Sequence, residues 1–255
     1  MPTISKYAVA SFAAAMFAAS ANASPVQLAF DATLAAPGFY NGSGNSSDHF
    51  TTLTTGTGVE LGLGVQYRYT GPQVNPNPGS STYQVNTGIS TTNCIGTCSL
   101  WNYEYSINLG TSGFTMSDIT ASLTVLNVAN GSTLHIPVGL LDNTGYSSPS
   151  TGVYDFHPAT PSDLGEQNSQ NLGFSYVPVV DSSFNFDPLA DDTYIVTLSV
   201  ATSTGASIGP VSEAIVAGAG ATAMPLPGAL PLMVSGLGVI GLLARRRKRK
   251  TAVAA

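Results

Sequence analysis

The sequence predicts an all-β protein: a single β-sandwich, jelly-roll-like in its connections, flanked by an N-terminal signal helix and a C-terminal transmembrane helix. Three observations predict it. Apolar residues alternate with polar ones at period two along several stretches, which places one face of each stretch on a core. Residues 24–223 contain no Lys and are rich in Thr, Ser, Gly and Asn, a composition that suits strands and turns and starves helices. Only the two ends carry hydrophobic runs without that alternation.

At the N-terminus, Lys6 precedes an apolar stretch over residues 7–19, and Ala21-Asn22-Ala23 supplies the small-x-small pattern of a cleavage site. Residues 1–23 are therefore expected to be a signal peptide and 24–217 the exported domain, with 218–223 a flexible linker rich in Gly and Ala. Inside the domain, Val26, Leu28, Phe30, Ala32 and Leu34 are expected to face the core. Val59, Leu61, Leu63, Val65, Tyr67 and Tyr69 predict a long half-buried strand, and Trp101, Tyr103, Tyr105, Ile107 and Leu109 another. Further strands are expected over 119–125, 134–140, 172–180 and 194–200, with shorter ones over 50–54 and 83–89. Turns rich in Gly, Pro, Asn and Ser separate them. Residues 72–78 and 145–161 read as exposed loops, because repeated Pro removes ladder donors.

All 14 acidic residues lie within 24–223, whereas Arg68 is the one basic residue there, so the domain carries about −13. A field of that sign repels phosphate backbones and anionic lipids, which argues against nucleic-acid partners. Cys94 and Cys98, the only cysteines, are expected to close a local disulfide in an oxidising compartment.

Asp187, Asp191 and Asp192, with Asp181, precede the strand at Tyr194. Hard oxygen ligands so clustered could hold Ca²⁺, but the spacing is not that of an EF-hand and Asp-Asp-Thr is the composition of a turn entering a strand, which is the favoured reading. Trp101, Tyr103 and Tyr105 share a strand face. If exposed they could stack on sugar rings, and if buried they are core, which the continuation by Ile107 and Leu109 favours. His49 follows Asp48, and His157 lies two residues after Asp155, but no hydrolase or phosphate-loop spacing accompanies them, so no catalytic residues and no enzyme are expected.

The C-terminus carries Met224-Pro225-Leu226-Pro227, then a 17-residue apolar run over 228–244, then Arg245, Arg246, Arg247, Lys248, Arg249 and Lys250. A 17-residue helix is about 25 Å long, at the lower limit for crossing a bilayer. The basic block would stay cytoplasmic and leave the domain outside. A Pro-rich motif, a short Gly-containing membrane segment and an Arg cluster in that order resemble the PEP-CTERM sorting signals, specifically the VPLPA type. Met224 stands where that type has Val. The resemblance covers residues 224–250 and implies processing by an exosortase, export through an inner-membrane intermediate, and a place on the surface or in the matrix of a Gram-negative bacterium, often beside extracellular polysaccharide. Together these readings predict an exported structural protein, with a carbohydrate-binding or adhesive module as the alternative and a secreted hydrolase third.

Overall fold

A computed structural model describes residues 26–35, 46–68, 72–92, 94, 97–110, 112–138, 144–146 and 157–220. The expected signal peptide, the Met224–Pro227 motif, the 228–244 run and the Arg245–Lys250 block lie outside these residues. Contacts divide the chain into Met1–Thr222 and Ala223–Ala255, and every described residue belongs to the first unit. Among the described residues no helix is long and apolar enough to cross a membrane.

The described chain is two β-sheets packed on one apolar core. Its strands are β1 (Gln27–Ala32), β2 (Phe50–Thr54), β3 (Glu60–Tyr67), β4 (Thr82–Val85), β5 (Trp101–Asn108), β6 (Ile119–Asn127), β7 (Thr133–Pro137), β8 (Thr144–Tyr146), β9 (His157–Pro158), β10 (Gly165–Gln170), β11 (Asp192–Thr202) and β12 (Ser207–Ala217). One sheet has the order β1-β2-β3-β5-β10-β8-β9 and the other β4-β12-β11-β6-β7. All pairings are antiparallel except β4 on β12. Leu61, Leu63, Val65 and Tyr103 from the first sheet face Leu123, Val125, Val196 and Leu198 from the second, all at 0% exposure.

Where the period-two pattern is apolar, the strands form as expected; the differences have physical causes. Val26 and Leu28 are exposed at 59% and 38%, not in the core. Leu28 sits on, and Val26 just before, an edge strand that pairs only with β2 and bulges between Ala29 and Ala32. Strand β3 is buried on both faces rather than one, because Phe50 and Leu34 lie across its outer side, where Gly62 and Gly64 leave room for them.

Residues 172–180 are not a strand. They form turns and a single helical turn, α1 (Val177–Val180), with Pro178 in its first turn, where the missing N–H is harmless. The strand in this part of the chain is β10, whose sequence GEQNSQ has no aliphatic residue. Strand β12 also escaped the pattern, since Gly209 and Pro210 break its alternation.

Candidate functional site

The end of the sandwich where β3, β10 and β12 finish and β5 and β11 begin carries the disulfide and a buried polar latch. The expected disulfide forms there: Cys94 and Cys98 are bonded with their Cα atoms 6.1 Å apart. The loop they close is latched to the β10–β11 connection by Asn171, whose side chain is fully buried. Its Oδ1 accepts from the backbone N–H groups of Ser99 and Gly173, each at 3.0 Å. Its Nδ2 donates to Trp101 O at 2.7 Å and Asn102 Oδ1 at 2.8 Å. One amide side chain thus satisfies groups that burial would otherwise orphan.

Arg68 stands beside this latch, 5% exposed. Its backbone N–H donates to Leu100 O at 2.7 Å, its Nε to Thr92 O at 3.4 Å, and its guanidinium carbon lies 4.8 Å from the Phe174 ring centroid, a cation–π distance. Together with Tyr67, Leu100 and loop residues 89–92 it lines a hollow of about 330 Å³.

The aromatic row takes the core alternative that its continuation by Ile107 and Leu109 favours, and the sugar-stacking alternative falls away. Trp101, Tyr103 and Tyr105 are 1%, 0% and 0% exposed, enclosed between the sheets. The Trp101 ring packs edge-on against Phe186 and tilted against Tyr194, with centroids 6.3 and 5.6 Å away.

The acidic loop does not converge on a point either, and among the described residues no group of three or more His, Cys, Asp or Glu could hold a metal. The carboxylates instead tie down backbone. Asp187 Oδ1 accepts from Leu189 N at 2.9 Å, and Asp191 Oδ2 from Gly220 N at 2.8 Å. Asp192 Oδ1 accepts from Thr193 N at 2.6 Å and Ala129 N at 3.2 Å.

His49 pairs with Asp31 rather than Asp48: its Nδ1 lies 2.6 Å from Asp31 Oδ1, while Asp48 accepts from Thr33 Oγ1 at 2.9 Å. Both members of the pair have positive φ, 64° and 55°, a costly conformation for non-glycine residues. The His49 carbonyl is further held by the Tyr83 hydroxyl at 2.9 Å. Asp155 and the His157 side chain fall outside the described residues, so no Ser/His/Asp set is assembled among those that are described.

Four buried glutamates were not picked out in the sequence: Glu60 and Glu104 sit in strands whose apolar neighbours carry the pattern, and Glu166 and Glu213 in the two strands that the pattern missed. Glu60 and Glu104 lie on the outer side of the seven-stranded sheet and accept from the backbone N–H groups of Ala35 at 2.8 Å and Ser46 at 3.0 Å. Glu104 also accepts from Gln73 Nε2. Burial pushes the Glu104 carboxyl up to about 8, against the lowering effect of these bonds. Glu166 accepts from the Tyr105 hydroxyl at 2.6 Å, and burial pushes it up to about 7. Glu213 projects between the sheets with neither oxygen partnered, and burial together with Glu104 drives its carboxyl well above the usual range.

This architecture defines an all-β, two-sheet domain. No family model and no curated protein matches the chain. A solved structure of a family 123 glycoside hydrolase from Clostridium perfringens is similar at 13% identity and a TM-score of 0.23. The similarity covers 66% of this chain and 28% of the hydrolase, and at that score it carries no argument.

Proposed function

We propose that this chain is an exported structural protein of a bacterial surface or extracellular matrix. It is displayed as one β-sandwich with jelly-roll-like crossings between its sheets and sorted through its C-terminal segment. The observation that carries this reading is the order of parts beyond the last strand. After β12 ends at Ala217 come a short Gly/Ala tether, the Pro225/Pro227 motif, a membrane-length apolar run and six consecutive basic residues. The run is short and diluted by four glycines and Pro231, so it suits a temporary anchor whose far end the basic block holds in the cytoplasm. The prolines keep the peptide just outside the bilayer extended, a form that a processing enzyme such as an exosortase can grip. The Cys94–Cys98 disulfide supports an oxidising destination.

Intact-mass measurement on protein from its native host tests the proposal. The expected species lacks residues 1–23 and the basic block, and neutral replacement of Arg245 to Lys250 leaves the tail uncut. A mature species that still carries residues 228–255 would reduce the tail to a plain anchor.

A further inference from the structure

The disulfide closes a hairpin that lies against the end of β3. Ile89 and Ser99 face each other as an antiparallel bridge, Ser90 N donates to Cys98 O at 2.9 Å, and Leu100 N donates to Gly88 O at 3.1 Å. Arg68 N donates to Leu100 O at 2.7 Å and so joins the hairpin to the residue that follows β3. The hollow of about 330 Å³ lies between the two, with Tyr67 and Arg68 on one side and residues 89–92 and Leu100 on the other.

Arg68 is the only charged residue of that lining and the only basic residue among positions 24–223. Its guanidinium end, not only its stem, reaches the hollow, because Nε donates to the carbonyl of Thr92, itself a lining residue. The guanidinium carbon lies 4.8 Å from the Phe174 ring centroid. Phe174 is fixed in turn by its N–H to Asn171 O at 3.1 Å and by the Tyr176 ring, with centroids 6.1 Å apart. The cationic side chain is therefore held in place before any ligand arrives, which lowers the ordering cost of binding.

Charge, size and walls of the hollow together select a ligand. One fixed positive group stands in a domain of about −13, and Asp187 immediately precedes Pro188, whose carbonyl accepts from Gly88 N at 2.8 Å, so an acidic residue flanks the hairpin. One guanidinium matches a monoanion, whereas each further negative charge on a ligand meets only repulsion. The volume is that of a site for a small molecule. Ile89, 42% exposed, Leu100 and the Tyr67 ring offer apolar contact opposite the charge. The guanidinium fork itself pairs best with the two oxygens of a carboxylate.

We propose that this hollow binds a small organic monocarboxylate, with its carboxylate at Arg68 and its apolar body between Ile89 and Leu100. The inference is independent of how the C-terminal segment is processed.

The test is calorimetric titration and melting of the full-length chain in mild detergent. Benzoate is the probe, benzamide its neutral counterpart of similar shape, and inorganic phosphate the anion without an apolar body. Benzoate is expected to bind with a dissociation constant on the order of 1 mM. At ten times that concentration it should raise the melting temperature by about 3–6 °C. Benzamide and phosphate are expected to bind at least about tenfold more weakly. Thr91→Asp sets a carboxylate at an exposed lining residue and should weaken benzoate by about tenfold, whereas Thr204→Asp adds the same charge in the exposed β11–β12 turn and should bind like the parent. Arg68→Gln should abolish binding; its melting curve establishes folding, and Thr91→Asp carries the test where Arg68→Gln does not fold. Absence of benzoate binding at about twenty times the expected dissociation constant overturns the proposal. So does equal binding of benzamide, which would make the hollow merely apolar. Phosphate bound as tightly as benzoate would assign the hollow to inorganic oxyanions, and unchanged benzoate affinity in Thr91→Asp would place the binding elsewhere; either result overturns it as well.

Discussion

Gly173 lies directly beneath Thr97: a Cβ built on Gly173 would stand 2.0 Å from the Thr97 carbonyl oxygen and 2.6 Å from the Cys98 Cα. The disulfide loop therefore rests backbone-on-backbone against the β10–β11 connection, and only glycine admits that approach. Gly173→Ala must push the loop away, although Asn171 holds the same loop from the side through Ser99. The substitution is expected to destabilise by about 2–3 kcal/mol, lowering the melting temperature by roughly 5–10 °C in a domain of this size. A differential scan of the two proteins measures it, and an unchanged transition would mean that the contact yields freely.

The buried glutamates make stability depend on pH in the direction opposite to paired surface carboxylates. Glu60, Glu104, Glu166 and Glu213 are all raised by burial above the usual value near 4.5, with Glu166 near 7 and Glu104 near 8. Between pH 5 and 8 the folded state holds these protons more tightly than the unfolded chain, so stability falls as pH rises through that window. Asp118 and Asp181 are lowered by hydrogen bonds from Thr115 and Ser183, so they are ionised in both states across the window and do not offset the effect. A melting temperature at pH 5 above that at pH 8 by about 5 °C or more is expected. Glu104→Gln should flatten the profile: an amide still accepts from Ser46, and Gln73, whose Oε1 has no partner, can turn to receive its N–H. A melting temperature that climbs from pH 5 to pH 8 would contradict the buried, protonated assignment.

The acidic loop should be indifferent to chelation. Asp187, Asp191 and Asp192 are engaged by backbone N–H donors and do not converge, so excess EDTA is expected to leave the melting temperature within about 1 °C. Asp191→Ala removes the acceptor for Gly220 N and should lower the transition by about 2–3 °C, consistent with one partly exposed hydrogen bond. A marked loss of stability on adding EDTA would restore a Ca²⁺ site.

The strands legible in the sequence are those whose burial is apolar. Trp101 to Leu109 and Tyr194 to Val200 alternate because one face of each meets the other sheet, and that constraint is local to the strand. Strand β10 was illegible for the complementary reason. Its polar side chains are stabilised by partners far away in sequence: Ser169 receives bonds from Gln66 and Asn102, and Glu166 from Tyr105. Likewise the Asp31–His49 pairing joins residues 18 apart, and nothing near His49 distinguishes it from the more obvious neighbour Asp48.

The sequence by itself determined the class of fold, the acidity of residues 24–223 with their single basic residue, and the local disulfide. These follow from composition and from spacings of a few residues, where covalent connectivity limits what the chain can do. Only the tertiary structure decided that the outer side of β3 is covered, that the aromatic row is core, and that the aspartates hold turns. It also decided that four glutamates are buried where their protons are retained. Each of these depends on what the second sheet or a distant loop places opposite a side chain, because burial and hydrogen-bond satisfaction are properties of the packed neighbourhood and are not encoded in any one segment.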